Sequence, residues 1–236
     1  MGLAAPGELT YPAYGHFAMA SFRSETASLR LGGKDRCAIG GAIATRRRNA
    51  DMRMPAVLKR LIGARNGTPH LVYGALVAQA RKPVFYADLG VPDTPAGRYD
   101  MIVLHAFLLF GRLRRNDEER QLAQLVFDAM FVDLDRSLRE MGIGDLSVPK
   151  KIKRMAEAFY GRVGAYEAAF KDDSMAMMKD AVARNLYAGT DAPSAPAAAI
   201  AQYAFAARDH LAGLSLAEIR AADLAFPEPA VTGIPS

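Results

Sequence analysis

The chain of 236 residues has no tryptophan, one cysteine and no long apolar run. Each scarcity removes a class of protein. A lone Cys37 cannot form an intrachain disulfide or a structural zinc cage, and it suits a reducing compartment. The longest apolar stretch, "MIVLHAFLLF" (101–110), falls short of the roughly 20 apolar residues that span a bilayer. Strand-like alternation, internal repeats, a glycine-rich phosphate loop and a G-x-S-x-G elbow are all missing. What remains is ordinary for a globular protein: 51% hydrophobic and 23% charged residues, with 11 Met and 11 Phe for adaptable packing. The formal charge of +5 is too mild to mark a sequence-specific nucleic-acid binder.

That charge is unevenly placed. Residues 1–51 hold seven basic and four acidic residues, so three of the five net positive charges sit there. This leader shows neither a helical nor a strand period and no secretory h-region with a cleavage site after it. It bears Arg and Ser like a transit peptide, yet carries acids that such peptides avoid. The favoured expectation is an upstream extension of a reading frame that starts at Met52 or Met54, with a disordered leader over 1–54 as the second. A chain starting at Met52 should keep its melting temperature.

From Met54 onward the period is helical, which predicts one all-α, bundle-like domain over 55–225 and a flexible tail at 226–236. A short basic amphipathic helix is expected at 56–64. Thr68 and Pro69 read as N-cap and first residue of a helix over 69–81. A short helix is expected near Phe85, then a helix from Asp93-Thr94-Pro95 to about Arg115, apolar all round and therefore the most buried. The next covers 117–141, opening on Asp117, Glu118 and Glu119 and closing at Gly142 and Ile143 in a Schellman stop. Ser147 and Pro149 start a helix to about Lys171. Helices over 174–188 and 195–212 follow, and Ser215 with Glu218 forms a capping box for a last short one.

Catalytic and metal signatures are hard to find. A di-iron site needs Glu three residues before His on a helix, but Ala13, Gly67, Ile102 and Ala207 precede His16, His70, His105 and His210. The His-Glu-x-x-His pattern is absent, and "KDDSM" (171–175) only faintly resembles a magnesium-binding Asp-rich motif. No metal or other cofactor is expected. His105, an ionisable group inside an apolar helix, is the best single catalytic candidate, with Asp100 and nearby carboxylates as its companions; a hydrogen-bonded core histidine is the plainer reading.

Charge gathers instead in "DLDRSLREMGIGDLSVPKKIKR" (133–154). Asp133, Asp135, Arg136, Arg139 and Glu140 intermingle signs at helical spacings, as a solvated salt-bridged face does, whereas a general acid needs an isolated carboxyl. Lys150, Lys151, Lys153 and Arg154 follow at a helix start, where the dipole disfavours cations. These nine residues are the candidate rim of a docking surface for an acidic partner or lipid headgroups. A core stripe is expected through Phe127, Phe131, Leu134, Leu138 and Met141, and another through Ile152, Met155, Phe159, Val163, Tyr166 and Phe170. Ala158, Gly161, Ala165 and Ala168 form a small-residue stripe, expected to pack closely within the domain. Arg112, Arg114 and Arg115 with the 150–154 cations would form one basic face if the protein bound ribosomes or nucleic acid.

The blocks "GRYDMIVLH" (97–105) and "DLDRSLREMGIGDLSV" (133–148) lie within a similarity over about 68–190. There the chain resembles the ubiquinol–cytochrome c chaperone family, whose members include mitochondrial assembly factors for the bc1 complex and alphaproteobacterial relatives. The resemblance implies a helical, non-enzymatic assembly chaperone that binds newly made cytochrome b or another bc1 subunit. Mitochondrial members also contact the ribosome and work with a small partner protein. A cytoplasmic protein, peripheral on the cytoplasmic face of the inner membrane, would follow. The competing expectations are a helical enzyme built on His105 and a ribosome- or nucleic-acid-associated protein.

Overall fold

A computed structural model describes residues 67–188 and 194–231, all within the unit Ala64–Ser236. The basic helix expected at 56–64 lies outside the described residues. Among them are eight helices and no strand. They are α1 Thr68–Ala80, α2 Pro83–Ala87, α3 Pro95–Arg112, α4 Asp117–Glu140, α5 Val148–Lys171, α6 Met175–Leu186, α7 Ser194–Gly213 and α8 Leu216–Arg220. The domain is all-α.

Helix α3 is the axis of the bundle, packing against α1, α4, α5, α6 and α7. Fourteen of its 18 residues are buried, as its apolar circumference predicts. Its start is fixed by two local devices. Thr94 Oγ1 accepts from the Gly97 amide at 3.1 Å, satisfying an orphan helix donor. Gly97 is there for space: a Cβ would sit 2.0 Å from the Pro92 carbonyl oxygen.

Most helix ends follow their capping residues. Asn116 accepts from Glu119 N at 2.9 Å, and both limbs of the Ser215–Glu218 capping box are present. The Schellman stop after α4 is also formed. Ile143 N donates to Leu138 O at 3.2 Å and Gly142 N to Arg139 O at 2.9 Å, with Gly142 at φ +80°. Two ends differ from expectation. The cap of α1 is Gly67, whose carbonyl accepts from His70 N and Leu71 N, so Thr68 is already helical. Ser147 precedes α5 in a helical conformation with no side-chain cap, and the Ser147 and Val148 amides donate to Gly144 O.

The tail, expected to fray from Phe226, docks instead. Leu224 and Phe226 are buried, and the Phe226 ring lies 5.2 Å from that of His105. Glu228 also pairs with Lys82. An apolar residue on a short Pro-rich segment gives no period to detect, so its docking is not legible in sequence.

The stripe on α4 is rotated from the one expected. The buried positions are Leu122, Val126, Ala129, Met130 and Leu138. Phe127, Phe131 and Leu134 are only half-buried, and Met141 is 56% exposed. Helix α4 carries two adjacent apolar stripes. Phe127, on the second stripe, meets both Phe159 of α5 at 5.4 Å and Phe110 of α3 at 6.3 Å. On α5 the expected stripe fits better: Phe159, Val163 and Tyr166 are buried, while Ile152, Met155 and Phe170 are half-buried.

Candidate docking surface

His105 comes first, because it decides whether the core holds a reaction centre. It is fully buried on α3. Its Nδ1 lies 2.8 Å from the Met101 carbonyl, which can only accept, so Nδ1 carries the proton. Nε2 then accepts from the Tyr203 hydroxyl at 2.7 Å, and Tyr203 in turn accepts from Gln79 Nε2 at 3.1 Å. Phe85, Tyr203 and Phe226 surround the ring. Burial pushes its pKa down to about 4, keeping it neutral. Both ring nitrogens are committed to structural partners. The node ties α1, α3, α7 and the tail together.

Asp100, the expected companion, points elsewhere. It pairs with Arg162 of α5 at 2.8 Å, and burial raises its pKa to about 6 against the pull of that guanidinium. No hydrogen bond links it to His105. Among the described residues no group of three or more His, Cys, Asp or Glu could hold a metal ion. In the "KDDSM" stretch Asp173 pairs with Arg208 at 3.1 Å.

The three arginines after α3 are also used internally. Arg112 is buried in an ion pair with Glu119 at 2.7 Å and donates to Leu214 O through Nε and Nη2. Arg115 donates to Ala212 O at 2.6 Å, and Arg114 pairs with Glu167 at 3.4 Å. Glu167 stands near the C-terminus of α5 and Lys150–Arg154 at its start, about 22 Å apart along the axis at 1.5 Å per residue. The basic residues therefore do not form one face.

The α4–α5 hairpin is organised differently. Its acids face arginines: Asp135 and Asp145 share Arg139, and Glu140 pairs with Arg136 at 2.7 Å. Asp133 is less of a rim residue than expected. It is half-buried and accepts from the Tyr73 hydroxyl of α1 at 3.1 Å, pinning α1 to α4. Asp135 is half-buried too, whereas Arg136, Arg139 and Glu140 are exposed. Lys150, Lys151, Lys153 and Arg154 are all exposed; Lys153 lies 3.9 Å from Glu157 and the other three have no acidic partner among the described residues. An acid cluster for catalysis is not what these carboxylates make.

Farther from the turn than either charge set, the hairpin carries a half-open apolar seam. Phe127 packs on Phe131 at 4.7 Å, on Phe159 at 5.4 Å and on Tyr160 at 6.4 Å, and of these only Phe159 is buried. At the tip of the hairpin Leu146 is 91% exposed, beside Met141. The small-residue stripe also faces outward. A Cβ added at Gly161 or Gly164 would meet nothing within 4 Å, so the close packing expected within the domain is not there. Sequence reading misses Leu146 and places Met141 in the core. The available signal is position: both lie where the Schellman stop breaks the helical period, and nothing then turns an apolar side chain inward.

With His105 committed to structural partners and exposed apolar and cationic side chains on the α4–α5 hairpin, this helical bundle has the features of a binding protein. The ubiquinol-cytochrome C chaperone family model matches residues 87–226, and the chain belongs to that family. Its fold is similar to the crystal structure of the Cbp3 homolog from Brucella abortus. The TM-score is 0.63 with 38% identity, covering 76% of this chain and 98% of that one. No curated protein matches. No helix among the described residues is long and apolar enough to cross a membrane.

Proposed function

We propose that the protein is a non-enzymatic chaperone for assembly of the cytochrome bc1 complex, binding newly made cytochrome b through the α4–α5 hairpin. Family membership and the similarity to the Brucella protein support the assembly role. The observation that carries the site is the half-open aromatic seam of Phe127, Phe131 and Tyr160, on the same hairpin whose start of α5 carries cations without acidic partners among the described residues. A nascent membrane subunit presents apolar helices, and a seam of half-exposed aromatics on a hairpin with a charged rim suits such a client. Asp133, Asp135, Arg136, Arg139, Glu140, Lys150, Lys151, Lys153 and Arg154 are the proposed rim, with Asp133 holding α1 in place. The place of action is the cytoplasmic face of the inner membrane. Contact with the ribosome, where the client emerges, is compatible with this reading.

The enzyme reading is disfavoured by the engagement of both His105 nitrogens. Deleting the gene in its host and measuring assembled cytochrome b in membranes tests the proposal. A sharp loss is expected, and an unchanged level would sink it.

A further inference from the structure

The seam accounts for the flank of the hairpin but not for its tip. Leu146 is almost entirely in water, in a loop whose backbone is fixed by the bonds of Gly142, Ile143, Ser147 and Val148. A loop this constrained cannot fold the leucine back onto the bundle. Nothing among the described residues covers Leu146 or Met141, and both lie within one short turn. Four to eight residues beyond Leu146 come Lys150, Lys151 and Arg154. They lie within about 6 Å of one another along the helix axis, Lys150 and Arg154 on the side of α5 away from Val148, Ile152 and Met155 and Lys151 on the flank between the two sides. None of the nearby acids pairs with them: Glu140 is held by Arg136, Asp145 shares Arg139 with Asp135, and Glu157 faces Lys153. The tip thus joins two exposed apolar side chains to three uncompensated cations at the outer end of a rigid hairpin.

We infer that this tip seats the protein on an anionic lipid bilayer, with Leu146 and Met141 entering the headgroup–acyl boundary and Lys150, Lys151 and Arg154 resting on lipid phosphates. A fully exposed leucine has little use in a purely electrostatic contact with an acidic protein. At a bilayer it adds an apolar term to the attraction of the cations, the combination that holds peripheral proteins at an interface. The inference goes beyond the chaperone reading, since it requires no client. It would place the aromatic seam of the same hairpin next to the membrane.

The chain contains no tryptophan, so Leu146→Trp is a unique reporter. The full-length Leu146→Trp variant is mixed with vesicles of phosphatidylcholine alone or with added phosphatidylglycerol. A blue shift in emission, quenched by bromine-labelled lipid, is expected only with the anionic vesicles. In parallel, sedimentation of wild-type protein with the same vesicles should weaken with salt. The triple variant Lys150→Glu/Lys151→Glu/Arg154→Glu should bind about tenfold less or worse, since each cation near an anionic surface contributes appreciably. An unshifted emission from the Leu146→Trp variant, or undiminished sedimentation of a folded triple variant, overturns the inference. If the triple variant still sediments but fails to support cytochrome b assembly, the tip docks protein rather than lipid. Intact assembly without vesicle binding by wild type would refute the bilayer seat and spare the chaperone reading.

Discussion

The node around His105 and the tip around Leu146 are built by opposite rules. At the node, proton by proton, every polar group has a partner: Gln79 donates to Tyr203, Tyr203 to His105, and His105 to Met101. At the tip, three cations have no acid among the described residues and a leucine has no cover. Satisfied polar groups in a dry interior fix one arrangement of helices, because breaking any link strands a buried partner. Unsatisfied groups on the surface cost little to keep and leave binding capacity free. The difference separates what holds this fold from what it offers to others, and substitutions at the two places should have opposite consequences.

The largest effect should come from the other fully buried lock, Arg112–Glu119. Arg112→Ala leaves the Glu119 carboxylate without its counter-ion, held only by the Arg115 amide at 2.9 Å, and removes both side-chain donors from the Leu214 carbonyl. It should cost about 3–5 kcal/mol in denaturant unfolding, the range for breaking a buried pair on one side. A loss under about 1 kcal/mol would mean that water reaches this pair.

A second effect, of about 3 kcal/mol per group, appears with pH, because two buried groups titrate differently in the folded and unfolded chain. The pKa of His105 falls from 6.5 to about 4 on folding, so its contribution to stability is present above 6.5 and lost as pH falls toward 4. That of Asp100 rises from 3.8 to about 6, so its contribution is present below 3.8 and lost as pH rises through 6. The two oppose each other between about pH 4 and 6 and should leave the wild-type curve flat there. His105→Gln should unmask stabilisation on acidification, and Asp100→Asn the reverse. Parallel curves for both variants and wild type would show that neither group is buried in the state assumed.

Moving outward, Gly161→Ala on the solvent face of α5 should stabilise by about 0.5–1 kcal/mol, the helix-propensity difference, because the added methyl meets nothing. A lower melting temperature would mean that the stripe is covered. The smallest effect on stability belongs to the tip. The triple reversal of Lys150, Lys151 and Arg154 to Glu should change unfolding by no more than about 0.5 kcal/mol, as exposed charges do.

What the sequence reveals follows the same division. The period of 3.6 locates the long helices, and local chemistry places the capping box of α8, the start of α3 at Thr94 and the Schellman stop. The most buried helix is legible because "MIVLHAFLLF" has no polar face. The rotation of the α4 stripe is not, since Val126–Met130 and Phe127–Phe131 are both apolar at the same spacing, and only the partners α1 and α3 select between them. The role of Arg112 is hidden because a buried and an exposed arginine look alike in a string "GRLRR". The rim is legible as a set of charges. Which of them are matched depends on side-chain pairing, and that matching isolates Lys150, Lys151 and Arg154.

Complementation decides whether the hairpin, and not the core, carries the activity. A strain lacking the gene, complemented with the wild-type chain or with the Lys150→Glu/Lys151→Glu/Arg154→Glu chain at matched levels, would be assayed for haem-loaded cytochrome b in its membranes. The wild type should restore it, while the triple variant, equally stable and equally abundant, should not. Full restoration by the triple variant would contradict the placement of the docking surface on this hairpin.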